Sequence, residues 1–230
     1  MRVAFYAPMK APTSPVPSGD RRIARLIMAA MATAGHDVDL AARLRTWDGV
    51  GDSRRQARLR DVGERLAERL VGRYDRGPKA ERPGAWLTYH VYHKAPDWIG
   101  PAVSDALDIP YLIAEASVAN KQAEGPWALG HDATVAAVRR ADAILSLNAI
   151  DGPAVQSLLE DPGRLVPLPL FLDAAPFSAA AADRDRHRAD MVRRFGLRAD
   201  VPWLLTVAMM RPGDKLASYE LLADVLGRLD

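Results

Sequence analysis

Cysteine is missing from the whole 230-residue sequence. Its absence excludes disulfide bonds, zinc sites with thiolate ligands and catalysis by a thiol, and it suits a reducing compartment. Long apolar runs are missing too, since none approaches the ~18 residues of a membrane span. The apolar stretch at the N-terminus is too short for a signal peptide. We therefore expect a cytoplasmic protein, and a peripheral position at the inner face of the membrane stays open.

A strong charge of either sign is also lacking. The net charge is +2, with 26% charged and 49% hydrophobic residues, the balance of an ordinary globular protein. This balance argues against nucleic acid as a partner. The most basic segment, 52–76, combines eight arginines with five acids. Its periodicity predicts an amphipathic helix with a solvated, salt-bridged face, and weak association with an anionic membrane surface is the alternative.

Apolar runs of strand length alternate with amphipathic helices through the first domain, 1–173. Six strands are predicted, at 2–8, 36–42, 84–93, 109–117, 143–149 and 164–173. The first two flank a loop and a helix that Ser18 or Asp20 can cap and Gly35 can end, which makes a βαβ unit with a right-handed crossover. We predict the α/β class, with an open, doubly wound, mostly parallel Rossmann-like sheet.

The pattern changes after Asp173, where alanine-rich and then highly charged sequence begins. The segments predicted beyond it are a linker with a helix (174–201), a strand (203–210), a turn from Arg211 to Lys215 and a helix opened by Ser218. We place a domain boundary between Asp173 and Pro202. Residues 202–230 are interpreted as the first βα unit of a second, incomplete domain.

The loop after the first strand is a candidate binding site. In an open α/β sheet, ligands bind at the carboxyl ends of the strands, and the first βα turn is a preferred position. Ser18, Gly19 and Asp20 lie there, where the backbone of Gly19 could approach a ligand at the helix N-terminus. A dinucleotide fingerprint needs three glycines, so NAD binding is disfavoured. The alternative is that Gly19 only shapes the turn.

Polar side chains also end the third and fourth predicted strands. His90 and His93 could bind a ligand, but residues three apart face opposite sides of a straight strand, so we expect no metal site. Glu115 interrupts an apolar strand that Ser117 ends, and a buried glutamate needs a partner, either a ligand or Lys121. A serine nucleophile is excluded because the sequence has no G-x-S-x-G elbow. The alternative is a structural role for each of these side chains.

Two cations flank a Pro-Gly turn near the last residue. Arg211 and Lys215 follow a predicted buried strand and precede a helix. Together with the positive end of that helix they could hold a phosphate group. The alternative is that they are ordinary loop cations with Asp214 as their partner.

Several stretches, taken in order, resemble the retaining glycosyltransferases of the GT-B fold, family 4 (group 1 type). The resemblance rests on "RVAFYAP" with its glycine loop and helix, "AGHDVDLA", "LTYHVYHKAPDWIGPAVSDALDIPYLIAEAS", "ADAILSLNAIDGPAVQSLL", "RLVPLPLFLDAAPF" and "WLLTVAMMRPGDKLASYELLADVL". It covers essentially the whole chain as the front half of such an enzyme. The order and spacing of the stretches make it specific.

The resemblance implies transfer of a sugar with retention from a nucleotide-sugar donor to a glycan or lipid-linked acceptor, without metal or cofactor. Gly19 and its neighbours would line the cleft beside the donor, and the first domain would bind the acceptor. Arg211 and Lys215 would bind the diphosphate and stabilise it as a leaving group. Where the family often carries a histidine after the fourth strand, this chain has Glu115 and Ser117, so His90, His93 or Glu115 would replace it.

The family's later glutamate pair lies beyond the last residue of this chain. We therefore expect the chain to be inactive, and turnover of a nucleotide-sugar would contradict that. Two other interpretations stay open. A non-catalytic small-ligand-binding or regulatory domain would need no diphosphate clamp. A nucleotide-sugar epimerase of the same fold would need an acid/base set that the sequence does not reveal.

Overall fold

A computed structural model describes residues 1–208, 210 and 212–228. The chain divides into two compact units, Met1–Asp173 and Ala174–Asp230. No helix in the described part of the chain is long and apolar enough to cross a membrane.

The first unit is built on one six-stranded sheet in which every neighbouring pair is parallel, in the order β2-β1-β3-β4-β5-β6. The strands are β1 (Arg2–Tyr6), β2 (Asp37–Leu40), β3 (Ala85–Tyr92), β4 (Tyr111–Ser117), β5 (Ala143–Ser146) and β6 (Leu165–Pro167). The helices are α1 (Gly19–Thr33), α2 (Ser53–Arg76), α3 (Gly100–Leu107), α4 (Ala128–Arg140) and α5 (Gly152–Gln156). The predicted α/β class with a parallel, doubly wound sheet is confirmed.

Both faces of the sheet are buried, as the alternation of β1 illustrates. Phe5 belongs to a core cluster with Ile27 of α1 on one face. Its neighbour Tyr6 belongs to the cluster on the other face, with Leu70 of α2 and Val103 of α3. The strand order reverses at β1, which has β2 on one side and β3 on the other. In sheets of this kind that switch point opens a crevice at the carboxyl ends of the strands.

Capping interactions hold the ends of several helices. The Ser18 hydroxyl accepts a hydrogen bond from the backbone N–H of Arg21 at 3.2 Å, which fixes the start of α1. Gly35 follows α1 with φ of 85°, a conformation that glycine adopts freely. Asp97 accepts hydrogen bonds at 2.8 Å from the backbone N–H groups of Ile99 and Gly100, where α3 begins.

The prediction that α2 has a salt-bridged face is largely wrong. Among the described residues, Arg60 is the only arginine of α2 in an ion pair, with Asp61 at 3.0 Å and Glu64 at 3.8 Å. Arg73 donates instead to the hydroxyl of Tyr74. The reason is the placement of the charges around the helix, because most of the acids lie on a different flank from most of the arginines.

The regular secondary structure described in the second unit consists of helices. Its helices are α6 (Ala175–Ala182), α7 (Arg184–Phe195) and α8 (Asp214–Leu226). The strand predicted at 203–210 is wrong for 203–208 and 210, which form no strand. A strand needs a partner for its hydrogen bonds, and no strand partner lies among the described residues of this unit. Leu204 and Val207 are therefore 80% and 84% exposed instead of buried.

Helix α8 begins four residues earlier than predicted. Gly213, with φ of 97°, precedes its first residue, Asp214. The hydroxyl of Ser218 then donates to the backbone carbonyl of Asp214 inside the helix and does not cap it. Lys215 consequently lies in the first turn of α8 and not in the preceding loop.

Candidate functional site

Three of the predicted site residues meet at the switch point. Asp20 lies in the first turn of α1, His90 near the end of β3 and Glu115 near the end of β4. His90 Nδ1 is 3.0 Å from Asp20 Oδ1 and 4.0 Å from Glu115 Oε2. Their side chains are 25%, 19% and 21% exposed for Asp20, His90 and Glu115 respectively, so each is reachable and largely desolvated. We name these three residues the switch-point cluster.

An unusual backbone brings His90 and Glu115 together. Both have left-handed conformations, with φ of 63° and 65°. The strand register pairs Tyr89 with Ala114 and resumes at Val91 with Ala116, so the two residues sit in matching interruptions of adjacent strands. Such a conformation costs a non-glycine residue of order 1–3 kcal/mol and persists where the surroundings enforce it, often at functional sites. The break in strand alternation is what lets both side chains enter one cluster.

The contact between His90 and Asp20 has an electrostatic consequence. The hydrogen bond from His90 holds the pKa of Asp20 below its usual value, against the effect of burial. The carboxylate of Asp20 is therefore charged throughout the neutral range and accepts the hydrogen bond. Nδ1 of His90 carries the proton and donates it. Because the folded pKa is the lower one, this contact stabilises the fold above about pH 4 and is lost as the pH falls through the folded pKa.

Tyr89 adds an unsatisfied donor beside the cluster. Its hydroxyl is buried and has no hydrogen-bond partner among the described residues. Burial first, and then the charge of Glu115, raises its pKa, so the phenol keeps its proton. An unpaired buried hydroxyl costs about 1–3 kcal/mol, and Glu115 is the acceptor beside it.

His93 lies outside the cluster, against Trp127. Their ring centroids are 5.8 Å apart, at an interplanar angle of 77°. Burial, followed by the charge of Lys94, lowers the pKa of His93 and favours the neutral ring. The two predicted histidines therefore have separate surroundings. No group of three or more His, Asp or Glu side chains in the described ranges could hold a metal ion.

Aromatic rings continue from the cluster along the edge of the sheet, and we name them the aromatic row. They are Tyr89, His90, Tyr92, His93 and Trp127, with successive centroid distances of 5.8, 5.0, 5.4 and 5.8 Å. The ammonium of Lys94 lies 4.6 Å from the centre of the Trp127 ring. The indole N–H of Trp127 donates to the carbonyl of Asp48 at 2.9 Å, which fixes the far end of the row.

Ser117 and Lys121 do not join the cluster. The Ser117 hydroxyl donates to Asp151 Oδ1 at 2.7 Å, and Asn148 donates to the other oxygen of Asp151 at 3.0 Å. Asp151 thus ties the ends of β4 and β5 together, and its side chain makes no capping hydrogen bond at the start of α5. The predicted pairing of Glu115 with Lys121 is also wrong, since the side chain near the Glu115 carboxylate is that of His90.

The remaining predicted site residues lie in the loop before α1 and in the segment where α8 begins. A Cβ atom built on Gly19 would meet no atom within 4 Å, so the space around this position is open and steric crowding does not require glycine. Lys215 is exposed in the first turn of α8. Arg211 lies outside the described residues, so the clamp of Arg211 and Lys215 stays a prediction.

Sequence reasoning missed Tyr89 and the aromatic row. The only signal was the alternating "YHVYH" at the end of β3, which had been considered for its histidines alone. It also missed that Asp20, noted as a helix cap, is the partner of His90, because a contact over 70 positions leaves no local pattern.

Comparisons with known proteins give structural likenesses at low identity. Neither the scan of family models nor the search of curated proteins finds a match. Among solved structures, Anabaena HepE in complex with UDP-glucose is 11% identical over 83% of this chain and 50% of its own, with a TM-score of 0.47. The UDP-GlcNAc 2-epimerase of Methanocaldococcus jannaschii is 10% identical over 86% and 54%, with a TM-score of 0.46. This chain thus spans about half the length of each. The likenesses assign no activity to it.

Proposed function

We propose that this chain is the acceptor-side part of a nucleotide-sugar-dependent glycosyltransferase that transfers the sugar with retention. The observation that carries the proposal is the switch-point cluster with the aromatic row beside it. The resemblance of several sequence stretches, taken in order, to GT-B glycosyltransferases supports the glycosyltransferase class. The sugar, the acceptor and the activity of the whole protein belong to the proposal.

The chemistry of the cluster suits a ligand rich in hydroxyl groups. The carboxylates of Asp20 and Glu115 can accept hydrogen bonds from the hydroxyl groups of a ligand, and Nε2 of His90 can accept another when Nδ1 carries the ring proton. Charged acceptors make hydrogen bonds worth more than neutral ones, about 1.5–3 kcal/mol each. A saccharide ring fits this mixture and could also lie against the aromatic row.

The donor side of the proposal rests on the second unit. Arg211 and Lys215 would bind the diphosphate of the donor and stabilise it as a leaving group, with the N-terminus of α8 adding its positive end. This part draws on the sequence resemblance and on the place of Lys215 in the first turn of α8. It requires no metal and no cofactor.

The proposal is tested by adding saccharides to the chain and measuring their binding by two-dimensional NMR of the backbone amides. We expect methyl glycosides and oligosaccharides to shift the resonances of Asp20, His90 and Glu115, and incubation with nucleotide-sugars to give no turnover. UDP alone serves as the matched nucleotide probe. Binding of UDP at the cluster without any binding of saccharides would contradict the acceptor-side assignment and favour a nucleotide-binding module.

Paired substitutions at His90 separate its side chain from its backbone strain. We expect both His90→Ala and His90→Gly to abolish the saccharide-induced shifts, because both remove the ring that orders Asp20. Only glycine relieves the left-handed backbone at φ of 63°. The glycine variant should therefore be the more stable of the two by about 1 kcal/mol. Urea denaturation measures the difference, and an alanine variant at least as stable as the glycine variant would contradict the strain.

A nucleotide-sugar epimerase is the second candidate, and one observation favours it. The Asp20–His90 contact at 3.0 Å, with Glu115 4.0 Å from the same ring nitrogen, provides an acid/base set that the sequence alone did not reveal. Proton transfer needs such a set. Incubation with a nucleotide-sugar and no acceptor separates the two candidates, since only an epimerase would return an isomerised donor.

A further inference from the structure

A row of arginines that form no salt bridge with described residues runs along the exposed face of α2. The helix has 24 residues, which makes it about 36 Å long. At 100° per residue, five arginines fall within about 60° of arc and two more lie about 40° further round. The seven residues, which we name the arginine stripe, are Arg54, Arg58, Arg65, Arg69 and Arg76, followed by Arg55 and Arg73, and all are exposed.

The acids of α2 do not neutralise this stripe. None of its seven arginines forms a salt bridge within the part of the chain that the structure describes. The acids occupy the neighbouring flank, where Glu64 and Glu68 border the hollow between α2 and α3 with Ala102 and Ala106. The guanidinium of Arg73 donates to the hydroxyl of Tyr74. The other six have no carboxylate partner in a salt bridge among the described residues, and this arrangement calls for an anionic partner.

We propose that the arginine stripe docks the protein onto the surface of an anionic lipid bilayer. The opposite face of α2 is buried along its length, at Gln56, Gly63 and Tyr74 among others. The helix is thus fixed on its domain and can only lie flat against a partner. A straight stripe on a flat-lying helix brings all its charges to a plane at once, and each basic residue near an anionic bilayer strengthens binding by roughly fivefold.

Nucleic acid fits the stripe less well. A duplex is read by side chains that reach the base edges inside a groove about 12 Å wide, whereas the stripe is straight and about 36 Å long and presents its charges to a plane. The exposed apolar residue on the stripe is Val62, at 39%, and no aromatic side chain of the stripe is available to stack on a base. The inference does not depend on the proposed glycosyltransferase function.

Vesicle co-sedimentation of the full chain tests the proposal. We expect binding to vesicles of mixed phosphatidylcholine and phosphatidylglycerol, none to phosphatidylcholine alone, and weakening as salt is added. The triple variant Arg58→Gln, Arg65→Gln, Arg69→Gln should bind the anionic vesicles roughly 100-fold more weakly. Circular dichroism checks that the variant is folded.

A control variant with the same loss of charge shows whether the stripe itself matters. Arg22→Gln, Arg139→Gln, Arg184→Gln removes three exposed helix arginines that lie outside the stripe and form no salt bridge with described residues, and it should bind nearly as well as the unmodified chain. An equal loss in both variants would overturn the proposal, since net charge alone would then explain binding. Failure to bind anionic vesicles, or binding to duplex DNA or to an acidic protein in preference to them, would overturn it as well.

Discussion

Replacing Asp97 with alanine is expected to lower the free energy of unfolding by about 3–5 kcal/mol, because buried donors that lose their acceptor cost about 1–3 kcal/mol each. Asp97 is 2% exposed. Its Oδ1 accepts the backbone N–H groups of Ile99 and Gly100, while its Oδ2 accepts the hydroxyls of Thr88 at 2.5 Å and Tyr111 at 3.0 Å. Alanine would leave all four donors buried without a partner.

The hydrogen bonds of Asp97 reach beyond the start of α3, so the expected loss of stability involves the core as well as one helix cap. Trp86 donates its indole N–H to Thr88 at 2.8 Å, so Asp97 is the final acceptor of a chain that starts in the core. Burial raises the pKa of Asp97 and the hydrogen bonds oppose that rise. Asparagine keeps an oxygen for the two backbone donors, so Asp97→Asn should cost clearly less than Asp97→Ala.

Asp105 offers a matched control for this prediction. Its side chain is 61% exposed and pairs with Arg140 on the surface, and such exposed ion pairs contribute about 0–1 kcal/mol. Chemical denaturation of Asp97→Ala and Asp105→Ala under the same conditions measures both effects. Similar losses in the two variants would show that the buried network does not hold the fold in the way described here.

The order of elements in the first unit could be predicted because its signals are local. Apolar runs of strand length, capped helices and the βαβ rule all act within about 40 residues, and they led to the doubly wound sheet. Strand ends were less predictable. The run predicted at 164–173 pairs only over Leu165–Pro167, since its prolines cannot donate to a neighbouring strand.

The candidate site could be predicted only in part, for a physical reason. Which strand ends carry polar groups is visible in the sequence, and Asp20, His90 and Glu115 were found in this way. Their meeting depends on left-handed backbones at His90 and Glu115, and a rule of strict alternation cannot foresee them. The same limit explains the strand predicted at 203–210, because apolar residues favour a strand but only a partner strand completes one.

Gly130→Ala is also expected to cause a large loss in the free energy of unfolding, at a position where helix packing contacts the candidate site. A Cβ atom built on Gly130 would lie 2.1 Å from the backbone carbonyl oxygen of His93. The first turn of α4 therefore touches the chain that leaves β3, and the backbone N–H of Gly130 donates to Gln56 there. A side chain here would push apart two backbone segments that carry His93 and Trp127, so we expect a loss of about 3 kcal/mol in the free energy of unfolding.

Gly72→Ala in α2 is the matched control, with the opposite expected sign. Its added Cβ would meet only the end of the flexible Arg76 side chain, at 3.0 Å. Alanine in a helix interior is favoured over glycine by about 0.5–1 kcal/mol, so this variant should be more stable than the unmodified chain. Urea denaturation gives both values, and amide NMR shifts at His93 and Trp127 should change in Gly130→Ala alone. If both variants were stabilised, the close contact at Gly130 could not be what positions the end of β3.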